Sequence, residues 1–148
     1  MNGSSPFSAT TLALPPWPDD GLDYSPLPAT GDDGFPQAFL LNLQGVVYRL
    51  TMTVYYADPD FVVSPTYAKE IFDLPDAARG LYLNLKTEYE EQPEETRLIG
   101  ARRVVLDMPI AMGPLRFRFK RIRVAQANLR GAGSFGSELV AEVVVSDG

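Results

Sequence analysis

Gly113-Pro114-Leu115-Arg116-Phe117-Arg118-Phe119-Lys120-Arg121-Ile122-Arg123-Val124 is the stretch on which the reading of the fold turns. Leu115, Phe117 and Phe119 alternate with Arg116, Arg118 and Lys120, the period of a β-strand with one buried and one wet face. The alternation then slips by one residue, and Ile122 and Val124 continue the apolar series while Arg121 and Arg123 continue the basic one. Two basic residues side by side at the slip predict a β-bulge at Lys120-Arg121, which bends a strand without turning its apolar face to water. The strand thus presents five basic side chains on one side, in a chain whose net charge is −6. Acid is expected opposite them, inside the fold, on a neighbouring subunit or on a nucleic acid.

Working outward, alternation recurs along the chain. Phe39–Leu43, a Gln44-Gly45 turn and Val46–Tyr56 predict a hairpin, with Val46, Tyr48, Leu50, Met52, Val54 and Tyr56 on one face. Leu81, Leu83, Leu85 and Tyr89 mark a further amphipathic strand. Leu98 leads into another, which carries Val104, Leu106, Met108 and Ile110 on one face and ends near Pro109, so that end is expected at a sheet edge. The closing strand Glu138–Ser146 points Leu139, Ala141, Val143 and Val145 inward; its apolar outer residues predict a central or covered position. Ser64-Pro65 reads as a helix cap and first turn, predicting a short helix over 66–72, with one more turn over 76–79. Asn128–Ser137, with Gly131, Gly133 and Gly136, reads as a flexible loop. The expected fold is all-β: a small barrel or sandwich of five to seven mostly antiparallel strands with one or two short helices.

Seven of the thirteen prolines fall in residues 1–36. That composition favours extended backbone. Phe7, Leu12, Leu14, Trp17, Leu22, Tyr24 and Phe35 are spaced through it, which a free linker does not need. Residues 1–36 are therefore expected to form an extended arm lying on its own domain or on a neighbour's, and residues 37–148 a single β domain.

Composition excludes several kinds of chemistry. There is no Cys, so no disulfide and no thiolate nucleophile. There is no His, which removes the commonest general base and transition-metal ligand. No apolar run reaches eighteen residues, and no basic-then-apolar start predicts a secretory signal. Glu90–Glu95 lacks the Asp/Asn-Gly spacing of a calcium loop. Gly131–Gly136 leads into a strand rather than a helix and lacks the Lys-Ser/Thr of a phosphate cradle. The carboxylates Asp58, Asp60, Asp73 and Asp76 stand beside proline, where Asp is ordinary turn material. No catalytic residue, metal site or cofactor is expected, and the chain does not read as an enzyme.

Charge is segregated. Residues 1–48 hold no Lys or Arg, residues 58–95 hold ten of nineteen acids, and residues 97–130 hold nine of thirteen bases. The inward aromatics Phe117 and Phe119 leave the basic face without the stacking rings that single-strand binding uses, and the net acidity also argues against nucleic acid. Protein partners fit better: Glu88, Glu90, the 91–95 loop, or the same groups on another subunit.

Val47-Tyr48-Arg49-Leu50-Thr51-Met52, Gly80-Leu81-Tyr82-Leu83-Asn84-Leu85, Leu98-Ile99-Gly100-Ala101-Arg102-Arg103-Val104-Val105-Leu106 and the closing strand together resemble the small β-rich baseplate plug proteins of tailed phages. In that family a first hairpin is followed by an x-Tyr/Trp-x-Leu-x-Leu strand and a Gly-containing basic-apolar strand. The resemblance covers roughly residues 39–145; the proline-rich arm and the arginine-rich strand depart from it. It implies a virion structural protein of the tail or baseplate, assembled in the host cytoplasm. Such a protein forms a homo-oligomeric ring and docks onto tail-tube, hub or tape-measure proteins, with no active site and no membrane contact. The interface residues expected are Arg116, Arg118, Lys120, Arg121, Arg123, Trp17, Tyr24, Glu90 and Glu91. Two other readings stand beside it. One is a β-barrel that binds a small apolar ligand in a cavity lined by Phe117, Phe119, Leu83 and Met52. The other is a head-decoration or connector protein.

Overall fold

The computed structural model describes residues 21–56 and 69–146. Among them the chain is an all-β sandwich of two antiparallel sheets. In chain order the strands are β1 (Ser25–Pro26), β2 (Gln37–Leu43), β3 (Val46–Tyr56), β4 (Ile71–Asp73), β5 (Leu81–Tyr89), β6 (Leu98–Arg103), β7 (Ile110–Met112), β8 (Leu115–Ala125) and β9 (Glu138–Val145). One α-helical turn, α1 (Glu94–Arg97), precedes β6. The five-stranded sheet runs β1-β9-β8-β4, with β7 also paired to β8; the four-stranded sheet runs β2-β3-β5-β6.

Alternation decides which side of each strand faces in. Leu115, Phe117, Phe119, Ile122 and Val124 of β8 meet Leu50 and Met52 of β3 and Leu81, Leu83 and Leu85 of β5 in one buried cluster. Phe117, Phe119, Leu83 and Met52, offered above as cavity lining, are fully buried members of this core. The slip in β8 is a bulge. Phe119 pairs with Ala141 and Arg121 with Val140, which leaves Lys120 as the extra residue. Gln44 and Gly45, with φ of 53° and 84°, form the two-residue turn between β2 and β3.

Three expectations need correction. Ile71–Asp73 is not helical. It is strand β4, paired with Arg123–Ala125 of β8, because burying Phe72 in the core outweighs the local cap signal; residues 66–68 lie outside the described residues. The apolar alternation over 98–110 is not one strand. Val104 still donates its N–H to Leu83, but the chain then crosses between sheets, with Asp107 at φ 64° and its N–H on the Phe119 carbonyl. Ile110 resumes the pattern as β7 on the other sheet, and Met108 is left 60 % exposed. The glycine loop, in turn, is tied down. Asp32 accepts from the N–H groups of Phe135 (3.2 Å) and Ser137 (2.9 Å), and Asn128 donates to the Gly131 and Gly133 carbonyls. Gly34, at φ 75°, passes so close to Gly131 that any Cβ there would overlap the Gly131 carbonyl.

The described part of the N-terminal segment lies on its own domain. β1 pairs with β9, Leu27 donates its N–H to Ala141, and Phe35 is buried in the core with its N–H on the Asn128 carbonyl. Residues 25–36 therefore pack against the sandwich through β1, Leu27 and Phe35. Trp17 lies outside the described residues.

Candidate interaction site

The basic face of β8 finds its acid on the neighbouring strands. Register sets Arg118 opposite Glu142 of β9, and Arg123 between Asp73 of β4 and Glu138 of β9. Arg118 donates from Nε to Glu142 Oε2 at 2.8 Å, and its Nη2 stands 2.6 Å from the same oxygen. Lys120 Nζ is 3.5 Å from Oε1 of Glu142, Arg121 pairs with Glu138 at 3.2 Å, and Arg123 with Asp73 at 3.1 Å. The Tyr24 ring lies 3.6 Å from the Arg118 guanidinium, which brings the N-terminal segment onto the same face. Arg116 sits half-buried, in register with Ala111 and Val144. The acids proposed from sequence to answer this strand, Glu88, Glu90 and residues 91–95, belong instead to the four-stranded sheet and the turn that follows it.

There Glu90 accepts a two-pronged contact from Arg49, Nε at 2.8 Å and Nη2 at 3.0 Å. That hydrogen bonding, with the Arg49 charge, holds the Glu90 carboxyl below its ordinary range and raises Arg49 above its own. Tyr48 is raised, chiefly by burial and then by Tyr89. Glu91 is exposed, with no ion pair among the described residues. The expected interface residues thus form two groups on different sheets: Arg116–Arg123 with Tyr24, and Glu90 with Glu91. They do not converge.

A second basic group went unread. Arg102 and Arg103 end β6, beside Lys86 of β5. Among the described residues no carboxylate lies within 4.0 Å of either arginine; Arg103 stacks on the Tyr82 ring at 3.7 Å, and Lys86 is 3.7 Å from Glu88. Lys86 and Arg103, with Thr51, Thr53 and Asn84, border a hollow of about 390 Å³ on the outer face of the four-stranded sheet, while register sets Arg102 opposite the core-facing Leu85. Among the described residues β6 has a neighbour on one side only, so its charges have half the chance of an in-chain partner, which the sequence does not show. Among the described residues, no group of three or more acidic side chains is placed to hold a metal ion, and no helix is long and apolar enough to cross a membrane.

Comparison with known protein families, with characterised proteins and with solved structures finds no match to this chain.

Proposed function

We propose that the chain is a structural, non-catalytic subunit of a phage tail baseplate, which docks onto neighbouring tail-tube, hub or tape-measure proteins and onto copies of itself. The observation that carries the docking is the four-stranded sheet. Among the described residues its outer strands β2 and β6 pair on one side only, and each presents a large apolar side chain, Leu40 at 53 % and Leu98 at 58 % exposure. Such edges are protein-docking features, since an unpaired edge offers backbone donors and acceptors to another chain. What supports the tail setting is the strand pattern. Three of the four stretches that resemble baseplate plug proteins, 47–52, 80–85 and 98–106, supply the adjacent strands β3, β5 and β6. The docking role moves accordingly from β8, whose cations have partners in the chain, to the open edges of the other sheet.

The test is genetic and compositional. Tail particles purified from the host that encodes the chain should contain it at a fixed copy number by quantitative mass spectrometry. Deleting its gene should stop tail completion, and supplying it in trans should restore infectivity. Complete, infective particles from the deletion strain refute the reading.

A further inference from the structure

The edge strand β6 carries opposite unspent charge at its two ends. At its C-terminal end stand Arg102 and Arg103, neither with a carboxylate within 4.0 Å among the described residues. At its N-terminal end the α1 turn presents Glu94 and Glu95, with Glu91 just before; all three are exposed and without an ion pair among the described residues. Arg49, Arg79, Arg118, Arg121 and Arg123, by contrast, all have carboxylates at 3.2 Å or closer, while Arg97, in the α1 turn itself, donates to the Gln92 carbonyl and Arg130 to the Tyr56 hydroxyl. From Leu98 to Arg103 the strand spans about 16 Å at ~3.3 Å per residue.

The backbone of the same strand is also unspent. Val104 donates to Leu83, so Leu83 and Val104 form a hydrogen-bonded pair, and Arg102 and Gly100 follow at the alternate positions facing β5. Ala101 and Arg103 therefore direct their N–H and C=O groups away from the sheet, toward the open edge. Leu98 lies exposed at the start of that edge.

We infer that β6 is the contact of a two-fold dimer, in which β6 of a second copy of this chain adds antiparallel to this edge and joins two four-stranded sheets into one of eight. Antiparallel pairing about a two-fold axis is self-complementary. It lays the Arg102-Arg103 end of each copy beside the Glu94-Glu95 end of the other, so the charges match twice. Pairing centred on Ala101 puts a small side chain at the axis and keeps the arginines of the two copies from facing each other, which like charges directly across strands disfavour. A parallel addition sets acid beside acid and base beside base. This contact deepens the assembly reading by naming one of its joints, and it is tested on the isolated protein.

The experiment is sedimentation velocity on the purified full chain across about 1 µM to 1 mM, the range of a weak edge contact. The wild type should dimerise at low ionic strength and dissociate as salt rises, because exposed charges are screened beyond about 10 Å at 0.1 M salt. Arg102→Glu/Arg103→Glu alone and Glu94→Arg/Glu95→Arg alone should each weaken self-association at least about tenfold, a like-charge penalty placed twice in each homodimer. Mixed one to one, the two variants should restore wild-type affinity as a heterodimer, since both contacts are then attractive. Ala101→Pro removes an edge N–H that no strand among the described residues uses, and should abolish the dimer with the circular dichroism of the sheet retained. A wild type that stays monomeric at about 1 mM and low salt overturns the inference. So does a dimer whose two charge variants fail to restore each other. A monomer that is nonetheless incorporated in tails overturns this joint and leaves the tail role standing; a dimer absent from tails does the reverse.

Discussion

Truncating either member of the Arg118–Glu142 pair should destabilise the monomer by about 2 kcal/mol. The estimate follows from where the pair sits. The two side chains are 13 % and 16 % exposed, with Tyr24 lying over the guanidinium. A fully exposed pair contributes about 0–1 kcal/mol, whereas breaking a fully buried one costs about 3–5 kcal/mol because a charge is left without solvent or partner. This pair lies between, and its two short contacts to one carboxylate oxygen add the strength of charge-assisted hydrogen bonds. Arg118→Ala, Glu142→Ala and the double variant form a thermodynamic cycle. The coupling expected is about 1.5 kcal/mol, less than the single-variant loss because Arg118→Ala also removes the stacking on Tyr24 and Glu142→Ala also frees Lys120. Urea denaturation reads it, and melting temperature follows at about 2–4 °C per kcal/mol for a chain of this size. Arg118→Glu should be worse than Arg118→Ala, since it sets two carboxylates against each other across β8 and β9. The reasoning fails if Glu142→Ala leaves urea stability unchanged and instead blocks assembly. The β8 cations would then belong to an intersubunit contact, and their pairing within the sheet would contribute no stability.

Three further outcomes follow from other parts of the sandwich. Glu90 is held below its ordinary carboxylate value by Arg49, so the folded state resists its protonation; the stability it contributes is complete above the unfolded Glu value of about 4.3 and is lost as pH falls through the lower folded value. Arg49→Gln should remove that part of the acid sensitivity, which melting curves between about pH 3 and 7 will show as a shallower slope than the wild type's. Phe35→Ala should cost about 3–5 kcal/mol by urea denaturation, the loss for emptying a buried aromatic site; a loss under about 1 kcal/mol would place the 25–36 segment outside the core after all. Asp32→Ala removes one acceptor from two backbone N–H groups and should cost about 2 kcal/mol, with faster amide exchange at Phe135 and Ser137 while β5 and β8 stay protected.

Much of the fold was legible because alternation is local. The period-two series of β3, β5, β8 and β9, the Gln44-Gly45 turn and the bulge at Lys120 each rest on residues within a dozen positions of one another. What was not legible depends on which strands become neighbours. Ile71–Asp73 reads as the end of a capped helix until β8 is beside it. The apolar series over 98–110 is continuous in sequence although the chain changes sheets in the middle of it; Asp107-Met108-Pro109 was the only local mark of the corner. The proline-rich composition of residues 25–36 hid a structural role that Phe35 already indicated and that Leu27, between two prolines, did not. Charge followed the same rule. The densest basic run drew attention as an interface, yet β8 is flanked by β9 on one side and by β4 and β7 on the other. A strand so enclosed can fold with alternating cations only if adjacent strands bring acids into register, and Glu138, Glu142 and Asp73 do so, the last from 50 residues away. Arg102-Arg103 is a run of two, but it lies on a strand with one neighbour among the described residues, so only one strand could bring acids into register with it. Density of charge therefore marks what the fold must neutralise, and charge on an edge strand is under half that demand.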